Sequence, residues 1–180
     1  MRTVITLTIL LLVTTSVQAM DPAPAIEWES LYGTVFYDVQ ETSEGNYIVS
    51  GRKWYSDLKK TVFLYSPSGE LLWECGESEY PNTIHAYAVI QLPSGDYVAT
   101  GYGISEISTT QYSLSIHKVS SEGQTLWSKL YELDDNCRSY GYNINQLPDG
   151  GFAICGEIDP VEGMNQAWIL RTDALGDTLW

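Results

Sequence analysis

The chain has 180 residues, with 9 basic against 23 acidic side chains and a formal net charge of −14 at pH 7. This acidic balance argues against a nucleic-acid-binding protein, which would need basic patches, and it disfavours anionic membrane surfaces. With 44% hydrophobic residues, the chain is large and apolar enough to form one domain with its own core.

Residues 1–19 have the features of a secretory signal peptide. Arg2 supplies a positive start, residues 4–13 are an unbroken run of Val, Ile, Leu and Thr, and Val17-Gln18-Ala19 forms a small-x-small cleavage signal. The apolar run is shorter than the roughly 20 residues that a membrane-spanning helix needs. We therefore expect cleavage after Ala19, a secreted or cell-surface location and no membrane span in the mature protein.

A linker at residues 20–27 precedes a pattern that occurs three times, in units of about 50 residues at 28–73, 74–127 and 128–180. Each unit opens on a strand that contains a tyrosine, followed by a turn with glycine and a second strand that ends in glycine. The second strands are predicted at Tyr47–Gly51, Tyr97–Gly101 and Phe152–Gly156. Because these runs are short, rich in β-formers and bounded by Gly or Pro, they indicate strands rather than helices. Their consecutive apolar residues predict burial on both faces, and the final glycine suggests a bend or a close backbone approach.

A third strand is predicted in each unit at residues 62–65, 115–119 and 168–172, and a second turn then leads into a short fourth strand. That last segment carries the motif Gly-x-x-x-Trp, at Gly69–Trp73, Gly123–Trp127 and Gly176–Trp180. Four strands in a unit of this length are typical of a β-propeller blade. We expect an all-β protein with about three four-stranded blades. Since known propellers have roughly 4 to 8 blades, the ring would be incomplete, and further repeats in a longer chain or in an oligomer would complete it.

The repeated tryptophans, Trp73, Trp127 and Trp180, have a structural role available to them. A blade cannot bury both of its faces alone, so its neighbour must cover one of them. A tryptophan buries a large apolar area there, and its indole N–H can reach a backbone acceptor. We expect these side chains to pack between neighbouring blades.

The cysteines do not define a redox site. Cys75, Cys137 and Cys155 allow three alternative intrachain bridges and leave at least one thiol without an intrachain partner. Cys155 lies at the repeat position of Ser50 and Thr100, which predicts a buried small side chain.

The two histidines, His85 and His117, lie in different units without the spacing of zinc ligands. His117 shares its repeat position with Phe63 and Leu170, so we expect a packed or edge histidine. No metal site, cofactor or catalytic residue is predicted.

The repeat resembles the tandem propeller-like repeats of large secreted bacterial surface proteins. The resemblance covers residues 28–180: residues 28–33 match the family's Trp-x-x-x-Tyr-Gly opening, 148–152 its Asp-Gly-Gly-aromatic turn, and 171–180 its Gly-x-x-x-Trp close. The first two copies depart from it, with Ser66 and Ser120 at the position of Asp173. Members are mostly without assigned activity, and the C-terminal sorting domain that they often carry has no counterpart in this sequence.

The Gly-x-x-x-Trp segment that ends each repeat is also similar, more weakly, to the tryptophan-docking repeats of quinoprotein propellers. Those dehydrogenases need a calcium site and a pair of adjacent cysteines, and this sequence has no such pair. The resemblance therefore does not imply the quinone cofactor.

The sequence thus predicts a non-catalytic exported binding or scaffold module. The variable segments after the second strands are expected to form its contact surface, because loops on a rigid repeat carry function. Candidate contacts for a protein or glycan partner are Trp54, Tyr55, Tyr102 and Tyr112, for which packing against the next blade is the alternative. The alternative function is the N-terminal part of a propeller enzyme that acts on extracellular glycans, or a quinoprotein relative. A glycosidase would need carboxylates about 5 to 10 Å apart, whereas Asp38, Asp96 and Asp149 do not share one repeat position.

Overall fold

The computed structural model of the protein describes residues 34–53, 60–76, 82–104, 111–132, 137–160 and 162–180. The predicted signal peptide, the linker, Trp54 and Tyr55 lie outside the described residues. Within these ranges the chain forms eleven β-strands and no helix, so the all-β prediction is confirmed. None of the described residues belongs to a helix that is long and apolar enough to cross a membrane.

The strands form three antiparallel sheets, and in each sheet the strands follow one another in chain order. Sheet 1 consists of β1 (Thr34–Glu41), β2 (Tyr47–Lys53), β3 (Val62–Tyr65) and β4 (Leu71–Cys75). Sheet 2 consists of β5 (Asn82–Gln91), β6 (Tyr97–Ile104), β7 (Ser113–Val119) and β8 (Thr125–Tyr131). Sheet 3 consists of β9 (Cys137–Gln146), β10 (Phe152–Pro160) and β11 (Gln166–Thr172). In sheet 3 the predicted fourth strand is reduced to a single bridge between Thr172 and Thr178.

The tight turns follow from glycine chemistry. In the first hairpin the amide of Gly45 donates to the carbonyl of Thr42 (2.9 Å), and the amide of Thr42 donates to the carbonyl of Asn46 (2.8 Å). Gly45 has a φ of 80°, a left-handed conformation that glycine adopts without steric cost. The same pair of bonds recurs in the other hairpins, so the predicted turns are confirmed.

The core lies between the sheets. Ile48, Val62 and Leu64 of sheet 1 pack against Val89 and Ala99 of sheet 2. A second cluster joins sheet 2 to sheet 3 through residues such as Leu114, Ile116, Ile144 and Ile154. The first strands lie side by side, since β5 contacts both β1 and β9. Sheet 2 therefore has both faces covered, one by sheet 1 and the other by sheet 3.

Burial on both faces is confirmed for β2 and β6, where residues 48–51 and 97–101 are buried throughout. In β10 it is wrong. Phe152 and Ile154 are buried against sheet 2, but Cys155 is exposed, and Ile169, its cross-strand partner, is 60% exposed. The burial predicted for Cys155 depends on a neighbouring sheet that covers this face, and no part of the described chain does so. No disulfide joins any two of Cys75, Cys137 and Cys155.

Each tryptophan that has a following sheet packs on the glycine turn of that sheet. The indole N–H of Trp73 donates to the carbonyl of Ser121 (3.1 Å). A Cβ on Gly123 would lie 2.7 Å from the Trp73 ring, so only glycine leaves room for it. Trp127 meets Gly176 in the same way, at 3.1 Å from the position of a Cβ. The expected packing between neighbouring units is confirmed for Trp73 and Trp127, whereas Trp180 is 68% exposed.

Replacing Gly123 by alanine tests this packing. Because Gly123 has a φ of 81°, any Cβ there costs about 1–2 kcal/mol of backbone strain. Displacing Trp73 should add about 1–3 kcal/mol, the usual cost of overpacking. The free energy of unfolding from urea titration measures the sum.

Gly95→Ala is the matched control, because Gly95 has a φ of 88° and open space around a Cβ. Gly95→Ala should lower the free energy of unfolding only by the backbone strain, about 1–2 kcal/mol. Equal losses in the two variants would contradict the packing of Trp73 on Gly123.

His117 lies inside the contact between sheets 1 and 2, as a packed residue. It is 1% exposed, and its Nε2 lies 3.4 Å from the hydroxyl of Thr61 in sheet 1. Burial lowers the pKa of His117 to about 4, because the charged imidazolium loses its hydration there. The packed position expected from the sequence is confirmed.

This low pKa makes the fold sensitive to acid. Between pH 6.5 and about 4 the unfolded chain binds a proton at His117 that the folded chain does not. Stability is therefore fully present above pH 6.5 and falls as the pH is lowered to about 4, by about 3 kcal/mol for this residue. In His117→Leu, which carries the residue that sheet 3 has at this position, the loss between pH 7 and pH 4 should be smaller by that amount. Urea titrations of both proteins at both pH values measure it, and an unchanged pH dependence would contradict the assignment.

Candidate functional site

A β-bulge in each first strand builds the site. In sheet 1, Phe36 pairs with Gly51 and Asp38 with Ser50, which leaves Tyr37 as the extra residue. The same irregularity leaves out Tyr87 in sheet 2 and Tyr142 in sheet 3. A bulge bends the strand and redirects the side chain of its extra residue. The repeat thus places three tyrosines at equivalent, irregular positions.

The second strands do not end at their glycines as predicted, since Gly51, Gly101 and Gly156 lie inside β2, β6 and β10. At these positions glycine makes the bulge feasible. A Cβ on Gly101 would lie 1.8 Å from the carbonyl oxygen of His85, and one on Gly156 would lie 1.8 Å from that of Tyr140. At Gly51 the corresponding distance to Val35 is 2.3 Å. The close backbone approach that the sequence suggested at these glycines is confirmed, and it holds the first strand against the second beside each tyrosine.

Because the three first strands lie side by side, their bulge tyrosines meet. The ring centroids of Tyr37 and Tyr87 are 4.9 Å apart, and those of Tyr87 and Tyr142 are 5.3 Å apart. These distances are those of favourable aromatic pairs. Tyr37 and Tyr142 remain 40% and 44% exposed. The row is therefore ordered by mutual contact and still open to solvent.

More aromatic rings extend this row. Tyr102 lies 4.5 Å from His85, 4.9 Å from Tyr112 and 5.2 Å from Tyr140, measured between ring centroids. Tyr140 stacks parallel to Tyr142 at 6.3 Å. The tyrosine cluster is defined here by six tyrosines, Tyr37, Tyr87, Tyr102, Tyr112, Tyr140 and Tyr142, with His85 buried among them.

Two of the four residues singled out in the sequence, Tyr102 and Tyr112, thus lie in direct contact within the cluster. Both are half-buried, and their role as partner contacts stays a prediction. The bulge tyrosines were not singled out, although a tyrosine recurs at the same place in every unit. That recurrence, together with the repeated glycine, is the signal that could have identified them.

The residue after the repeated glycine differs in each sheet, being Arg52, Tyr102 or Glu157. An Nη1–H of Arg52 donates to Nε2 of His85 at 2.8 Å. Since a guanidinium can only donate, Nε2 of His85 is the acceptor, and the ring proton is on Nδ1. That nitrogen lies 3.4 Å from the Tyr37 hydroxyl. The residue that follows each glycine therefore gives the cluster a different charge and hydrogen-bonding group in each sheet.

His85 is neutral under ordinary conditions. Burial, and secondly the positive charge of Arg52, lower the pKa of His85 to about 4. Its Nε2 lone pair is already engaged by Arg52. The His85 ring thus lies as a neutral hydrogen-bonding group between Arg52 and Tyr37.

Three of the cluster tyrosines, Tyr87, Tyr102 and Tyr142, are neutral as well. Burial, followed by the neighbouring Tyr37, raises the pKa of Tyr87 to about 12, and burial raises the pKa of Tyr102. Burial and then a hydrogen bond to Glu157 raise the pKa of Tyr142. All three hydroxyls keep their protons at physiological pH, so each can both donate and accept a hydrogen bond.

A groove of about 230 Å³ runs along the bulge tyrosines. Besides the three rings, it is lined by polar side chains of β1 and β9, namely Asp38, Gln40 and Asn143. The Asp38 carboxylate also accepts a hydrogen bond from the backbone amide of Val89 at 3.2 Å, which joins β1 to β5. The groove combines aromatic surface with hydroxyl, amide and carboxylate groups.

Among the residues that the structure describes, no group of three or more His, Cys, Asp or Glu side chains is arranged to hold a metal ion. Neither protein-family models nor curated proteins match the chain. Function therefore has to be inferred from the chemistry and geometry of the site itself.

Proposed function

We propose that the protein is a non-catalytic, exported binding module built of propeller-like repeats, with the tyrosine cluster as its binding surface. One observation carries the proposal: the bulge tyrosines of three successive sheets converge on a single open groove. Recurrence of the bulge in every sheet, each with its tyrosine and opposing glycine, indicates a built feature rather than an accident of packing.

Three properties support a propeller-type arrangement. The strands of each sheet follow chain order, successive sheets pack face to face, and the first strands lie side by side. In a propeller the first strands of the blades surround the central channel. In this proposal the groove along the bulge tyrosines corresponds to that channel. Further repeats in the same polypeptide or in an oligomer would complete such a ring. Export is supported by the charged start, apolar run and cleavage signal of residues 1–19.

The chemistry of the groove favours binding over catalysis. The hydroxyls of the bulge tyrosines Tyr87 and Tyr142 have raised pKa values, so neither is a ready nucleophile. His85 is neutral and engaged by Arg52. Aromatic side chains that are partly exposed and rigidly held are the usual anchors of a recognition surface.

Truncating the most exposed ring of the cluster tests this proposal. Tyr142→Ala should weaken binding at least tenfold, because losing a hot-spot aromatic residue costs about 2 kcal/mol or more and tenfold corresponds to about 1.4 kcal/mol. The measurement is the dissociation constant for each positive member of a panel of polysaccharides and purified surface proteins, by biolayer interferometry.

Trp180→Ala removes another exposed aromatic side chain, one outside the cluster, and should leave binding unchanged. If Tyr142→Ala and Tyr102→Ala both bind like the unmodified protein, the tyrosine cluster is not the binding surface.

A further inference from the structure

We infer that the groove along Tyr37, Tyr87 and Tyr142 binds a neutral polysaccharide. This inference rests on the proposed binding function and adds the chemical class of the ligand. Three observations support it: the aromatic and polar side chains that line the groove, the negative charge of Asp38 among them, and the hydrogen bond that already engages the amide of Val89 on β5.

The groove presents the two kinds of surface that a sugar ring requires. A pyranose has an apolar face of C–H groups and a rim of hydroxyls. The Tyr37 and Tyr142 rings offer partly exposed aromatic surface for the face, and Asp38, Gln40 and Asn143 offer hydrogen-bonding groups for the rim. A small number of placed polar groups beside aromatic surface is the usual composition of a specific ligand site.

The charge at the groove favours a neutral over an anionic sugar as the ligand. The chain carries a formal net charge of −14, and Asp38 adds a carboxylate to the groove itself. None of the described residues that line the groove is a cation: Arg52 donates to His85, and the Arg138 guanidinium lies over the Tyr112 ring at 5.5 Å. An anionic polymer would meet repulsion along the groove, whereas a neutral one meets only hydrogen-bonding groups.

The groove suits a sugar better than an extended peptide. A peptide added as a strand would need backbone groups of the sheet edge, and the amide of Val89 on β5 already donates to Asp38. A proline-rich segment would dock into an aromatic-lined groove, but its prolines lack the N–H donors from which the Asp38, Gln40 and Asn143 oxygens of this groove accept hydrogen bonds. Its volume of about 230 Å³ is close to the lower end for small-molecule sites, a space suited to a sugar ring rather than to a folded surface.

The test is isothermal titration calorimetry on the full chain, expressed in a secreting host, against three probes. The probes are neutral hexasaccharides (gluco-, manno- and xylo-oligosaccharides), an anionic hexasaccharide of galacturonic acid, and a proline-rich decapeptide. We expect at least one neutral hexasaccharide to bind and the other two probes not to bind. The affinity should change less than twofold between 50 and 500 mM NaCl, because no ion pair is formed.

Variants then place the ligand in the groove. Tyr142→Ala should weaken binding at least tenfold, while Tyr142→Phe, which keeps the ring, should weaken it less than fivefold. Trp180→Ala should bind like the unmodified protein. Equal urea midpoints for Tyr142→Phe and the unmodified protein exclude a folding defect as the cause of any loss in that variant.

Each contrary result has a distinct meaning. Binding of the anionic sugar or the peptide alone, weakened by Tyr142→Ala, overturns the ligand class and leaves the proposed function in place. Neutral-glycan binding that survives both Tyr142→Ala and Tyr37→Ala overturns the groove as the site. Absence of binding to every neutral hexasaccharide also overturns the inference.

Discussion

The docking of Trp73 and Trp127 on the glycine turns of the following sheets is the contact on which the arrangement of the sheets depends. Trp73 reaches from sheet 1 to the turn at Gly123, where its indole N–H finds a backbone carbonyl and its ring occupies the space that a Cβ would need. Trp127 repeats this contact at Gly176, where the Tyr131 hydroxyl also donates to the Gly176 carbonyl at 2.6 Å. A large ring, a directional hydrogen bond and a turn that admits only glycine fix one relative position of two sheets. Because the contact recurs, sheet 2 meets sheet 3 much as sheet 1 meets sheet 2.

That repeated placement explains how a binding surface can arise from a structural repeat. Each sheet carries its tyrosine on a bulge opposite the glycine of its second strand. When sheets stack with one recurring offset, these tyrosines fall into a row, and their spacing is set by the stacking rather than by any contact with a ligand. The residue after the glycine can then vary without disturbing the frame. It is Arg52, Tyr102 or Glu157, and it changes the charge and hydrogen bonding of the cluster from sheet to sheet.

Local features of the fold could be predicted from the sequence because local chemistry determines them. Strands, hairpins and the tryptophan docking follow from Gly, Pro and apolar residues at fixed spacing. The burial of Cys155 could not be predicted, since it depends on whether another sheet covers that face. The tyrosine cluster was recognised only through Tyr102 and Tyr112. A bulge adds one residue to a strand, and no alternation pattern shows where, so the convergence of Tyr37, Tyr87 and Tyr142 needed the register of the sheets.

A double-mutant cycle between Trp73→Leu and Gly123→Ala measures the central contact most directly. If the indole ring lies on Gly123, the added methyl group clashes only while the ring is present. Gly123→Ala should therefore cost at least about 1 kcal/mol less in the Trp73→Leu background than in the unmodified protein. Unfolding free energies that add within about 0.5 kcal/mol would show that the two residues do not interact, and would contradict this account of how the sheets are held together.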